Sequence, residues 1–517
     1  MNWKARRPRP FLRPALRPAV RPASRALPAI LLSILAAVCP VLAGHRPAHA
    51  LETGAIPYQG YQYSTDQATI LSAPPAYLPD RTLDGVSLGV GALSSPSDLF
   101  LDEAEDLLAI ADTGNNRVVL AWLSTGETEV LSTFDNDGLE DTLSAPSGVC
   151  IAEDGTLYVA DTGNGRILSF DRSLALVREY GRPDTTLIGE KTEYKPLRVA
   201  VDRAGTLYVV GENLIEGIVE MTGDGTFTGF VGTNLVSPNL WELFWRAVAT
   251  RRQREAMGLF VPVNFRSLDL AGDGFLMAVS QIENNLSGSA VKRLNPGGID
   301  VIRTRTLPLI GDQGPLWVGS ESGYSVFFDV AAAKDGIFYT VDNKRGRVFG
   351  YDQDGNLLFV FGQNGSQAGT FRSAVALDTR GDDVLVLDAG TALIQVFEPT
   401  VYGRLILDAV TSQQGSDFGQ AAETWTQVRA LNANLELAHV GIGKALMRER
   451  RYREAMASFL LGRDREGYSK AFKLHRRQVV SRIFPWFASA AAILVLLAVL
   501  LANRRRRRGA VPAGPGK

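Results

Sequence analysis

ADTGNNRV at 111–118 and ADTGNGRI at 160–167 are nearly the same octet, about fifty residues apart. Each closes a longer unit, clearest in PSGVCIAEDGTLYVADTGNGRI at 146–167. Within that unit Leu157 and Val159 alternate with Tyr158 and Ala160, the two-residue period of a strand. Asp154-Gly155 supplies the positive-φ position that a tight hairpin needs. A strand, turn, strand unit recurring every ~40–50 residues has the spacing of one four-stranded propeller blade.

Four weaker copies follow, at 196–213, 265–281, 327–348 and 371–390, each two apolar alternations around a short turn. The expected fold is therefore an all-β, six-bladed β-propeller. The copies at 96–118 and 146–167 resemble the NHL repeat, which reads roughly Pro-x-Gly-Val-Ala-Val-Asp, then Gly-x-Val-Tyr-Val-Ala-Asp-Thr-Gly-Asn-x-Arg-Val. The resemblance spans about 94–400 and implies the fold rather than a function, because propellers host binding platforms and enzymes alike. Asp112, Asn115 and Arg117, like Asp161, Asn164 and Arg166, recur with the repeat and are read as turn-closing groups.

The chain ends point to export and anchoring. Residues 1–50 hold nine Lys or Arg and no acid, then an apolar run at 27–42 and Ala48-His49-Ala50, the order of a secretory signal. IFPWFASAAAILVLLAVLLA at 483–502 is uncharged and long enough to cross ~30 Å of hydrocarbon. Arg504–Arg508 follow it directly, which favours a cytoplasmic C-terminus and an extracytoplasmic propeller. The expected layout is a signal at 1–50, the propeller at 51–409, tetratricopeptide-like helices at 410–470, a basic juxtamembrane segment at 471–482, the span at 483–502 and a basic tail at 503–517.

Formal charge over the whole chain is −1, but 51–409 carries 26 basic against 48 acidic residues, while 410–482 carries 13 against 7. An acidic, exported propeller repels phosphate backbones, so no nucleic-acid partner is expected. Cys39 leaves with the signal, and Cys150 alone remains, read as a small buried apolar residue.

An insertion near 237–258 separates the third and fourth copies. Trp241, Phe244, Trp245 and Val248 recur there at helical spacing, ahead of Arg251, Arg252 and Arg254. Trp241, Phe244 and Trp245 are the candidate partner-binding residues. Beyond the propeller, Ala421 and Trp425 recur as Ala455 and Phe459, with Gly441-Ile442-Gly443 between them. These offsets resemble a tetratricopeptide repeat, with one repeat and a trailing helix. Such a short array needs support from the propeller or from a partner.

None of the four histidines, His45, His49, His439 and His475, lies between 51 and 409. A histidine-ligated metal, a histidine base and a Ser-His-Asp triad within the propeller are thereby excluded. Calcium held by carboxylate and amide oxygens remains open, as in gluconolactonase-like propellers. Those place Glu-Gly-Pro near the first blade, where this chain has Leu93-Ser94-Ser95-Pro96-Ser97-Asp98. Asp135-Asn136-Asp137-Gly138 has the start of a calcium loop without its remaining spacing and reads as a turn. No catalytic residue is assigned, no cofactor is firmly implied, and no metal ligand is identified.

Aligning the copies on their turns puts Asp98, Gly148, Arg198, Ser267, Asp329 and Ala374 at equivalent inner-strand positions around the central channel. Asp98, Arg198, Arg266, Asp329 and Arg372 are the candidate ligand-binding residues at its mouth, suited to a hydroxyl-rich molecule. The layout resembles membrane-anchored bacterial NHL proteins labelled gluconolactonase-like. That resemblance implies a non-enzymatic scaffold or sensor for a protein or glycan, accessory to a carbohydrate ABC transporter. The alternative is a calcium-dependent sugar-lactone hydrolase.

Overall fold

The computed structural model describes residues 56–64, 70–189, 192–212, 214–232, 264–280, 289–302, 309, 311–314 and 323–509. Six antiparallel sheets occupy 98–131, 148–180, 196–231, 265–294, 327–361 and 374–399, and are called blades 1 to 6. Blade 4 has three strands among the described residues. Blade 6 takes its three C-terminal strands from Ala374–Arg380, Asp383–Asp388 and Leu393–Pro399, and its outer strand from Tyr77–Asp84. The first strand of the ring thus pairs with the last, closing the propeller and covering an edge that would otherwise offer free backbone groups.

Alternation along each strand builds the core between blades. In blade 1, Ala109 and Ala111 pack toward Val149 and Val159 of blade 2. Leu108 and Ile110, on the opposite face of the same strand, pack toward Leu385 and Leu387 of blade 6. Six such apolar clusters, one at each junction, complete the circle. Every blade is therefore buried on both faces, which is why its strands read as continuous apolar runs. Cys150 is buried in the inner strand of blade 2, where burial pushes its thiol up to about 12.

The repeated octet closes the blade. Asp112 accepts from Ser94 N at 2.7 Å, Asn115 Nδ2 at 2.8 Å and Arg117 Nε at 2.7 Å. Asp161 repeats the arrangement with Ser144 N at 2.7 Å, Asn164 Nδ2 at 2.9 Å and Arg166 Nε at 2.9 Å. Thr113 and Thr162 reach across to the carbonyls of Pro146 and Pro196 in the next blade, at 2.7 and 2.6 Å. The residues 135–138 form the turn of a small hairpin, Thr133–Asn136 with Leu139–Thr142, in which Gly138 N donates to Asp135 Oδ1 at 2.7 Å.

Five helices follow: α1 Val401–Gln414, α2 Phe418–Leu431, α3 Glu436–Arg448, α4 Tyr452–Leu461 and α5 Arg465–Gly509. Helix α1 starts before residue 409, the expected propeller limit, because Thr400 caps it by accepting from Gly403 N at 3.1 Å. Gly403 lies so close to the carbonyl of Ala76 that a Cβ would not fit. Ile406, Val410, Ala421, Trp425 and Ala438 share one buried cluster with Tyr339, Phe359 and Phe397 of blades 5 and 6. The helices thus lean on the propeller. Gly441 faces the Trp425 ring and Gly443 the Phe459 ring, each without room for a side chain.

The first turns of α5 pack on α4 through Tyr468 and Ala471. Its apolar window has a mean hydropathy of 2.4 and no buried share, so α5 is long and apolar enough to cross a membrane. One such helix near the C-terminus fits membrane anchoring.

Candidate functional site

Strand pairing fixes which residues line the central channel. Asp98 pairs with Ala111, Gly148 with Ala160, Arg198 with Val210, Ser267 with Val279 and Asp329 with Val341. The equivalent residue of blade 6 is Ala376, opposite Leu387, and not Ala374. The slip comes from the hairpin: Arg380 pairs with Asp383 across Gly381-Asp382, so the turn glycine stands two residues closer to the lining position in blade 6 than Gly205 or Gly274 does in blades 3 and 4. Register shifts occur between Pro196 and Arg198, Phe265 and Ser267, Phe327 and Asp329, and Ala374 and Ala376, so blades 3 to 6 share one extra residue that blades 1 and 2 lack.

Arg198 and Asp98 face one another at 3.3 Å, Nε to Oδ1. Arg198 Nη2 donates to Ser97 O at 2.7 Å, and Nη1 to Leu197 O at 3.2 Å and to Ser147 O. One guanidinium thereby ties blades 1, 2 and 3 together. Asp98 Oδ2 accepts from Val149 N of the next blade at 3.0 Å. Asp329 Oδ2 accepts from Leu377 N at 2.8 Å, and Oδ1 from Ser267 Oγ. Two carboxylates deeper in the channel behave alike: Asp269 accepts from Ala332 N at 2.7 Å and Asp378 from Leu101 N at 2.6 Å. Four carboxylates thus each clamp a blade to its successor.

A cavity of about 30 Å³ lies among these groups, lined by Asp98, Arg198, Ser267, Asp269, Asp329 and Asp378 together with apolar neighbours. Its size suits about one water molecule. Burial pushes the Asp98 carboxyl up to about 7 against the opposing pull of Arg198, and burial pushes Asp269 up to about 7. Asp329 is raised by burial, and Asp378 is raised by burial and by the neighbouring Asp269 charge. Each carboxylate keeps its hydrogen bonds but loses the solvation that stabilises charge.

Of the five candidate mouth residues, Asp98, Arg198 and Asp329 come together in the lining. Arg266 is the bulged residue of blade 4. Its guanidinium lies over the Phe328 ring, the bulged residue of blade 5, at 3.6 Å. Arg372 is exposed, and its backbone N–H donates to Asp388 in a blade turn. Trp241, Phe244 and Trp245 lie outside the described residues. Asp269 lies two residues past the aligned position at Ser267, while Asp378 escapes the alignment for a physical reason. An alignment on Ala374 puts Asp378 level with Asp102 and Asp202, which sit at hairpin turns, whereas the shorter hairpin of blade 6, where Arg380 pairs with Asp383, sets it level with Asp269 in the channel.

Residues 143–170, the whole of blade 2's inner strands and their approach, match the sequence model of the NHL repeat. Blade 2 carries the NHL match. Human NHL repeat-containing protein 2 is 34% identical over 91 residues, a match spanning 16% of this chain and 12% of that protein. Among solved structures, virginiamycin B lyase from Staphylococcus aureus is similar at 11% identity and a TM-score of 0.39, covering 61% of this chain and 98% of that one. A gluconolactonase from Xanthomonas campestris is similar at 15% identity and a TM-score of 0.37, covering 63% and 98%. The chain is thus a six-bladed propeller whose second blade matches the NHL repeat, with a helical extension and, among the described residues, one candidate membrane helix.

Proposed function

We propose that this chain is a membrane-anchored, extracytoplasmic binding scaffold or sensor, whose propeller presents a protein- or glycan-binding surface. The observation that carries the reading is the commitment of the channel's polar groups to one another. Both oxygens of Asp329 accept hydrogen bonds, Asp98 is divided between Val149 N and Arg198, and the cavity among them is only about 30 Å³. A buried carboxylate already holding two blades together is poorly placed to accept a substrate proton or a metal ion. Among the described residues, no group of three or more His, Cys, Asp or Glu stands close enough to hold an ion.

The remaining parts suit an assembly role. Helix α5 anchors the chain, and the arginines at 504–508 would keep its end cytoplasmic, with the propeller outside. Helices α2 to α4, tetratricopeptide-like in their spacing, would offer a docking face beside the membrane, and subunits of a carbohydrate ABC transporter are the proposed partners.

The competing reading is a calcium-dependent sugar-lactone hydrolase acting through Asp98 and Asp329. Incubating the purified full chain with gluconolactone, with calcium or with EDTA, separates the two. The scaffold reading expects hydrolysis at the background rate under both conditions, whereas EDTA-sensitive turnover lost in Asp329→Asn would replace it with the hydrolase.

A further inference from the structure

The cavity in the channel, about 30 Å³, is too small for a ligand of sugar size, which leaves the mouth, where the inner strands begin, as the place for recognition. The residues there are those immediately before the lining positions: Ser97, Ser147, Leu197, Arg266, Phe328 and Val375. The last four are the bulged residues of blades 3 to 6. A bulge leaves its extra residue out of the hydrogen-bonding ladder and re-aims its side chain.

Two adjacent bulges bring Arg266 and Phe328 into contact. The guanidinium carbon lies 3.6 Å from the Phe328 ring centre, a stacked arrangement that holds the fork in one plane. Arg266 Nη1 is buried without a hydrogen-bond partner, and no ion pair to Arg266 exists among the described residues. Burial acts on its charge first, followed by the like charge of Arg198, and both lower its proton affinity. Residues 51–409 carry 48 acids against 26 bases, yet among the described residues none of those acids pairs with this half-buried arginine. Arg198, by contrast, spends its donors on Ser97, Ser147, Leu197 and Asp98.

We infer that Arg266, held flat on Phe328, is the receptor for a carboxylate group, so that the glycan recognised at the channel mouth is an acidic sugar. This deepens the glycan-binding part of the proposed function and rests on it. A planar fork pairs with a carboxylate through two parallel hydrogen bonds. A phosphate could use the same fork, but its higher charge is opposed more strongly by the acidic propeller. The apolar Leu197 and Val375 at the neighbouring mouth positions would contact the ring carbons of the sugar.

The test is calorimetric titration of the full chain in nanodiscs with glucuronate, glucose and glucose 6-phosphate, repeated with Arg266→Gln and Arg266→Lys. Expected is binding of glucuronate in preference to both others, weakened roughly ten- to hundredfold in Arg266→Gln and partly restored in Arg266→Lys, at an unchanged melting temperature. Equal binding of glucose and glucuronate, indifferent to Arg266, would overturn the acidic-sugar assignment and leave a glycan scaffold standing. Tighter binding of glucose 6-phosphate would overturn the choice of carboxylate. No binding of any of the three would overturn the inference, while the scaffold reading would still be decided by partner recovery from membranes.

Discussion

Asp269→Asn probes the belt of channel carboxylates directly. Asp269 is pushed from an ordinary value of 3.8 to about 7 by burial, while accepting from Ala332 N at 2.7 Å and Leu270 N at 2.8 Å. Because its folded value lies above its unfolded one, the folded state binds the proton more tightly. The stabilisation is full below about pH 4 and is lost as pH rises through about 7. At ~1.36 kcal/mol per pH unit this amounts to at most ~4 kcal/mol between pH 4 and 8. Asp329 and Asp378 share the belt, and the side chain is partly open to the channel, so ~1–2 kcal/mol is the expected size. A propeller of roughly 340 residues has an unfolding entropy near 0.7 kcal/mol/K, and the effect becomes ~1.5–3 °C. Differential scanning fluorimetry from pH 5.5 to 8 should show the wild-type Tm falling as pH rises. In Asp269→Asn, which has no charge to bury, the fall should be smaller by that amount, even if the loss of the Leu270 bond lowers Tm at every pH. An identical pH slope in the two proteins, or a wild-type Tm that rises over this range for reasons traced to Asp269, would refute the argument.

Arg198→Ala should lower stability by ~3 kcal/mol, roughly 4 °C in Tm, because it leaves Asp98 buried without its cation and three blades without their common donor. Arg198 is therefore a poor reporter of ligand binding. Gly148→Val should be more damaging still, since a Cβ at that position would meet Leu197 O and Arg198 Cα of blade 3; failure to accumulate in soluble form is the readout. Trp425→Ala should cost ~3–5 kcal/mol and expose α1 to α3 to limited proteolysis while the blades stay protected, because Trp425 is fully buried between the helices and the propeller. Removing residues beyond Arg482 should release the chain from carbonate-washed membranes, since the apolar window of α5 has no buried share within the fold.

The repeat was legible because it is a backbone pattern repeated often enough to survive degeneration. Asp112 and Asp161 announce their turns, and the alternation at 157–160 is what puts one residue toward blade 1 and the next toward blade 3. Ring closure by Tyr77–Asp84 was not legible. That strand is exposed on one side and mixed in polarity, and its partner lies more than three hundred residues away. The site was half legible for a similar reason. Asp98 sits at the position that chain spacing predicts, and Arg198 and Asp329 do so despite their bulges. Asp378 and Arg372 are displaced because the turn glycine of blade 6 stands two residues closer to its lining position, a difference expressed only in strand pairing. The stacking of Arg266 on Phe328 needs two bulges in adjacent blades, sixty-two residues apart, and no local pattern announces it.

The central claim is that this chain works by holding a partner at the membrane. Affinity purification of the full chain from detergent-solubilised membranes, beside a chain ending at Val410, with mass spectrometry of the co-eluting proteins, tests it most directly. The account predicts stoichiometric recovery of transport-system subunits with the full chain and their loss in the truncated one. Recovery of the full chain alone, under conditions that preserve other membrane complexes, would contradict it.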